Sequence, residues 1–209
     1  MDQQHASLET LKDIRRMMDR SSRFISLSGL SGVSAGVFAF IGVYIAHKWI
    51  VEYYIRYEAR GYSFADFRGL RFNLFMLAGA VLTSAILFSF YFTWRKAKKN
   101  GLPMWDHSSK NLFINMMIPL VAGGVFVLGL LQYNIWHFVA PATLIFYGLA
   151  LVNASKYTLG DIRYLGYIEI ILGLINVWFI GYGLYFWAAG FGMFHIVYGL
   201  IMWWKYDNK

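Results

Sequence analysis

Residues 164–204 read YLGYIEIILGLINVWFIGYGLYFWAAGFGMFHIVYGLIMWW, forty-one residues in which Glu169 is the one Asp, Glu, Lys or Arg. As a single straight helix this stretch would run about 60 Å at ~1.5 Å per residue, twice the ~30 Å hydrocarbon core of a bilayer. It must therefore fold back on itself, and Gly181-Tyr182-Gly183 is the natural place for the turn. The same holds for Asn111–Ser155, forty-five uncharged residues whose middle carries Tyr133 and Asn134. Two further gaps between charges, twenty-four residues from Arg23 to Lys48 and twenty-three from Arg71 to Arg95, each fit one crossing.

These gaps predict an all-α integral membrane protein, a six-helix bundle with spans at about 24–47, 73–94, 111–132, 135–155, 162–181 and 183–204. The composition agrees: 58% of the 209 residues are hydrophobic and 14% charged. That excludes a soluble enzyme and a disordered chain, and the absence of cysteine excludes a disulfide scaffold. Fourteen of the nineteen Lys and Arg residues fall on one side of the predicted spans, which places both termini in the cytoplasm by the positive-inside rule. All eight tryptophans lie near predicted span ends, where indole prefers the headgroup layer. A polar leader of twenty-three residues before a long apolar run does not match a cleavable signal, so the first span is expected to stay as an anchor.

Outside the spans, residues 1–23 form a separate cytoplasmic or interfacial segment ahead of the 24–209 transmembrane domain. Leu8, Leu11, Ile14 and Met18 keep helical spacing, with Glu9, Asp13, Arg15 and Asp19 on other faces, the pattern of a short amphipathic surface helix. The net charge of +8 follows from the insertion pattern and attracts anionic lipid. No nucleic-acid module accompanies it, so the partners expected are the bilayer and a second copy or another membrane protein.

Glu169 carries most of the functional information. A carboxylate at membrane depth costs several kcal/mol unless it is protonated, paired or hydrated. Gly166, Glu169, Gly173 and Asn176 share one helical face, and Ala188, Gly192, His195 and Gly199 form a comparable face in the sixth span. Glu169 and His195 are each thirteen residues from Tyr182, so a hairpin turning there brings them to similar depth. Likewise Asn115 and Asn153 are each nineteen residues from Asn134. A polar site of Glu169, His195, Asn115, Asn153 and Asn176 follows if the hairpins pack together. It would act as helix-bonding glue, as a substrate or proton site, or as a ligand set for haem or metal; His47 and His137, at the opposite span ends, are the other histidines to consider. No His-x-x-x-His or Glu-x-x-His spacing supports a metal, and no cofactor is implied.

Ser28, Gly32 and Gly36 make a small-residue ridge suited to close helix packing, within the chain or between copies. Pro119 and Pro141 interrupt the third and fourth spans. The run RRMMDRSSRFISLSGLSG, Arg15–Gly32, resembles the opening of a family of uncharacterised six-pass bacterial membrane proteins, and the resemblance implies an inner-membrane location with no activity attached. Three functions fit: a non-enzymatic binding or accessory module, a small transporter or proton-coupled channel using Glu169 and His195, and a haem- or metal-binding redox protein. No catalytic signature is visible.

Overall fold

The computed structural model describes residues 27–61 and 63–208, so the surface helix and most of the Arg15–Gly32 run lie outside the described residues. Every regular element among the described residues is helical. They are α1 (Gly29–Arg60), α2 (Phe64–Lys99), α3 (His107–Gln132), α4 (Val139–Ala154) and α5 (Ile162–Trp178). After a 3₁₀ turn at Ile180–Tyr182 come α6 (Gly183–Trp187), a π-helical segment (Ala188–Phe194), α7 (His195–Met202) and a second π turn (Trp203–Asp207). Ala188, His195 and Trp203, which join these last pieces, all have right-handed helical φ and ψ, so α6 to Asp207 forms one continuous rod.

Five segments are long and apolar enough to cross a membrane: Gly29–Arg60, Phe64–Lys99, His107–Gln132, Trp136–Ala154 and Ile180–Asp207. This is a multi-pass membrane protein in its helix lengths. The difference from the expected six is α5, whose 17 residues span about 26 Å. The charge gap alone would extend it to residue 181. It stops at Trp178 because Phe179 leaves the helical region (φ −117°, ψ 58°) and the Asn176 side chain donates to the Phe179 carbonyl. α1, in contrast, runs on to Arg60, and Gly61 ends it at φ +79°. Pro141 is the third residue of α4, where an absent N–H has no helical partner to lose, so it starts that helix instead of interrupting it.

Packing divides the bundle into a centre and two flanks. α4 and α5 pack most closely on each other; α1 packs on the rod, α2 on α1, and α3 on α4. No residue in the most apolar stretch of α2 is buried, and only 6% of the corresponding stretch of α3 is. Backbones approach closely at two seams. A Cβ on Gly199 would fall 2.6 Å from the Val33 nitrogen and 2.7 Å from the Gly29 oxygen, and one on Gly36 would fall 2.6 Å from the Gly192 oxygen. Gly32 meets Gly199 and the His195 carbonyl across the same seam, so the Gly32/Gly36 ridge is engaged inside the chain. At the second seam Gly148 and Gly166 oppose each other, with imagined Cβ atoms 2.6 and 2.8 Å from each other's carbonyl oxygens, and Gly173 faces Pro141. The glycine faces of the fifth and sixth spans thus have different partners: Gly166 and Gly173 face α4, whereas Gly192 and Gly199 face α1.

A part-buried polar knot joins the start of α1 to the end of the rod. Asp207 accepts from the Ser28 hydroxyl (2.8 Å) and the Gly29 N–H (2.9 Å), capping α1 from the far end of the chain. Lys96 of α2 lies 2.6 Å from the same carboxylate and donates to the Leu27 carbonyl at 2.7 Å. Nearby, Lys205 and Tyr206 both donate to Asp161, which draws the Asp161 carboxyl below its ordinary pKa, chiefly through the Lys205 hydrogen bond.

Gly199→Ala is expected to destabilise the protein by about 1–3 kcal/mol, because its methyl group meets backbone and not a movable side chain. Gly124→Ala, with nothing within 4 Å of the new Cβ, is expected to be neutral or slightly stabilising. Thermal unfolding of both variants in one detergent measures the contrast.

Candidate functional site: an enclosed Glu-His-Tyr cluster

Glu169 leaves α5 toward the rod and is completely buried, with 0% exposure. Its carboxylate fits because Gly190 has no side chain: a Cβ there would lie 2.4 Å from Oε2. His195, 5% exposed, begins α7 immediately after the π segment, and its Nδ1 lies 3.3 Å from Glu169 Oε1. The same Nδ1 is 2.9 Å from the carbonyl of Gly190, five residues earlier. That separation matches the π helix, whose wider turn brings residues i and i−5 together. On the ring's other side, Nε2 is 2.8 Å from the hydroxyl of Tyr147 in α4. Phe191 stacks against His195 with centroids 5.8 Å apart and packs on Tyr147 at 5.0 Å.

Chemically, this is a line of three groups able to hold a proton, drawn from three elements. In the neutral ring with Nδ1 protonated, Nδ1–H donates to the Gly190 carbonyl while Nε2 accepts from Tyr147. In the charged ring both nitrogens donate, and the imidazolium pairs with the carboxylate. Neither Glu169 oxygen completes a hydrogen bond with any described group, and its contact with His195 is the 3.3 Å approach of Oε1 to Nδ1.

The asparagines lie elsewhere. Asn153 donates to the Asn115 backbone carbonyl at 2.8 Å, and Asn115 donates to Asn111 within its own helix, also at 2.8 Å. Asn153 is therefore engaged across the α3–α4 seam and the Asn115 side chain within its own helix, and neither bonds to His195. Asn176 is fully buried at the far end of α5, holding the turn into the rod. Ser28 belongs to the Asp207 knot. His47 and His137 are exposed, and among the described residues no three His, Cys, Asp or Glu side chains come together as a metal site.

Tyr147 is not identifiable from the sequence, because one tyrosine among fifteen carries no positional signal. The same is true of a cleft of about 520 Å³ between the end of α1, the start of α2 and the α3–α4 turn. Tyr53, Tyr54, Phe64, Phe67 and Trp136 line it around Arg71. The guanidinium carbon lies 4.4 Å from the centre of the Trp136 ring, and Nη1 donates to Asn134 Oδ1 at 2.8 Å. Asn134 offers that oxygen from a left-handed backbone, φ 59°, a conformation asparagine tolerates.

His195→Ala is expected to cost about 1–3 kcal/mol of stability, since it leaves the buried Glu169 carboxyl without the polar group beside it. The double variant His195→Ala/Glu169→Gln is expected to be more stable than His195→Ala alone, and chemical denaturation of the four members of the cycle reads the coupling. Compared with protein-family models, curated proteins and solved structures, the chain matches none.

Proposed function

We propose that this chain is a six-span protein of a bacterial inner membrane, with both termini in the cytoplasm, that acts by binding: a non-enzymatic accessory module associating with a second copy or with another membrane protein. One observation carries this reading. The polar centre is closed, with Glu169 at 0% exposure, whereas the flanking helices α2 and α3 keep almost all of their apolar surface outside the bundle. Leu82, Leu87, Val125 and Leu128 on those flanks are each 58–64% exposed. In this reading the cluster holds α4, α5 and the rod in fixed register, and the flanks are presented to a partner. Photo-crosslinking groups placed at Leu82 and Val125 in native membranes are expected to give discrete protein adducts. Lipid adducts alone at both positions would sink the accessory role.

A second reading, proton-coupled transport, is favoured by a different observation: both Glu169 oxygens lack hydrogen-bond partners while Tyr147 and His195 stand in line as proton carriers. Under it, Glu169→Gln abolishes pH-driven flux in proteoliposomes while the melting temperature holds. Equal flux in the two proteins rejects it.

A further inference from the structure

The Arg71 cleft differs from its neighbour in charge. On the other side of the α1–α2 hairpin, a cleft of about 250 Å³ is lined by Glu52, Asp66 and Arg56, and Arg56 is paired with Glu52 at 3.2 Å. That site answers its own charge. The Arg71 cleft contains no carboxylate among its lining residues, and no described carboxylate pairs with Arg71. Of the guanidinium's donors, Nη1 reaches the neutral Asn134. Arg71 Nε and Trp136 Nε1 have no acceptor among the described residues. An arginine stacked on indole at 4.4 Å, with an unused donor on each group and no counter-charge, lacks an anion.

The walls define what kind of anion. Ile50, Phe64, Phe67 and Leu70 are apolar, so the occupant carries hydrocarbon beside its charge. Depth agrees. Arg71 and Arg95 are twenty-four residues apart on α2, about 36 Å along the helix, which sets Arg71 at one headgroup layer when Arg95 stands at the other. Below the cleft α2 packs on α1 and α3 on α4. One turn beyond Arg71, Phe75 on α2 is 58% exposed and offers an acyl chain an apolar surface beside the cleft.

We propose that this cleft is a binding site for an anionic phospholipid, with the phosphate against the Arg71 guanidinium and the glycerol and upper chains against the aromatic wall. His137, exposed at the mouth, supplies a further polar contact to the headgroup. The inference needs the chain to span a bilayer and does not depend on the accessory role.

The test uses the full chain in phosphatidylcholine nanodiscs, titrated with phosphatidylglycerol brominated in its chains or with phosphatidylcholine brominated in the same way. Quenching assigned to Trp136, by difference against Trp136→Phe, is expected to be about fivefold more sensitive to the anionic lipid, the factor one arginine contributes near a membrane surface. Arg71→Gln is expected to remove that preference. Equal quenching by the two lipids in the unmodified chain overturns the proposal without any reference to a variant's folding. A preference that survives in a folded Arg71→Gln protein also overturns it. Inorganic phosphate at millimolar concentration is expected to leave the quenching unchanged, and displacement by it would identify a free-anion site and overturn the lipid assignment.

Discussion

A carboxyl group enclosed in an apolar bundle has to be answered by something, and the surroundings of Glu169 are arranged around that requirement. Glu169 is 0% exposed, and the ring nitrogen nearest to it belongs to His195, 3.3 Å away. Three features make the contact with His195 possible. Gly190 leaves the volume that the carboxylate fills. The π segment Ala188–Phe194 sets the backbone carbonyl of Gly190 within 2.9 Å of the ring nitrogen that also faces Glu169. Tyr147 holds the opposite nitrogen at 2.8 Å and so orients the ring. Remove any one of them and the carboxylate meets bulk, misplaced backbone or a mobile imidazole.

This cluster tolerates no slippage, and the glycine seams supply the necessary rigidity. Where Gly148 opposes Gly166, and Gly199 opposes Gly29 and Val33, the helix backbones themselves are in contact, and dispersion between backbones replaces the hydrophobic effect that lipid does not provide. The first seam fixes α5, hence Glu169, against α4, hence Tyr147. The second fixes the rod, hence His195, against α1. The Asp207 knot then closes the end of the bundle where α1 begins, satisfying the first N–H of α1 with a carboxylate 178 residues away.

Much of this order is legible in the sequence for one physical reason: lipid forbids charge, so gaps between charges report helices directly. Hairpin symmetry about Tyr182 also relates Glu169 to His195, which lie 3.3 Å apart. The same arithmetic brings Asn115 and Asn153 together, but it specifies depth and not direction, and these two turn toward the α3–α4 seam. Partner choice by the glycine faces is not legible either. A small-residue stripe says that some backbone comes close, without saying which, and the stripes of α5 and the rod face α4 and α1 instead of each other. The π segment, Tyr147 and Asp207 depend on tertiary contacts across tens or hundreds of residues, to which local periodicity is blind.

The two polar regions answer their charges in opposite ways, and that difference indicates where exchange with the surroundings is cheapest. At the centre, opening the Glu169 cluster would separate an acid from its base and disrupt backbone seams that leave no space even for a methyl group. At the rim, Arg71 already stands in an open cleft with its charge unanswered by any described carboxylate, so an arriving anion displaces only solvent and breaks no ion pair. Arg71 binds Asn134 of the α3–α4 turn, and so ties α2 to the end of the bundle from which α4 carries Tyr147 inward. The open rim and the closed centre share no side chain, and recognition at one and rigidity at the other are compatible demands on one short chain.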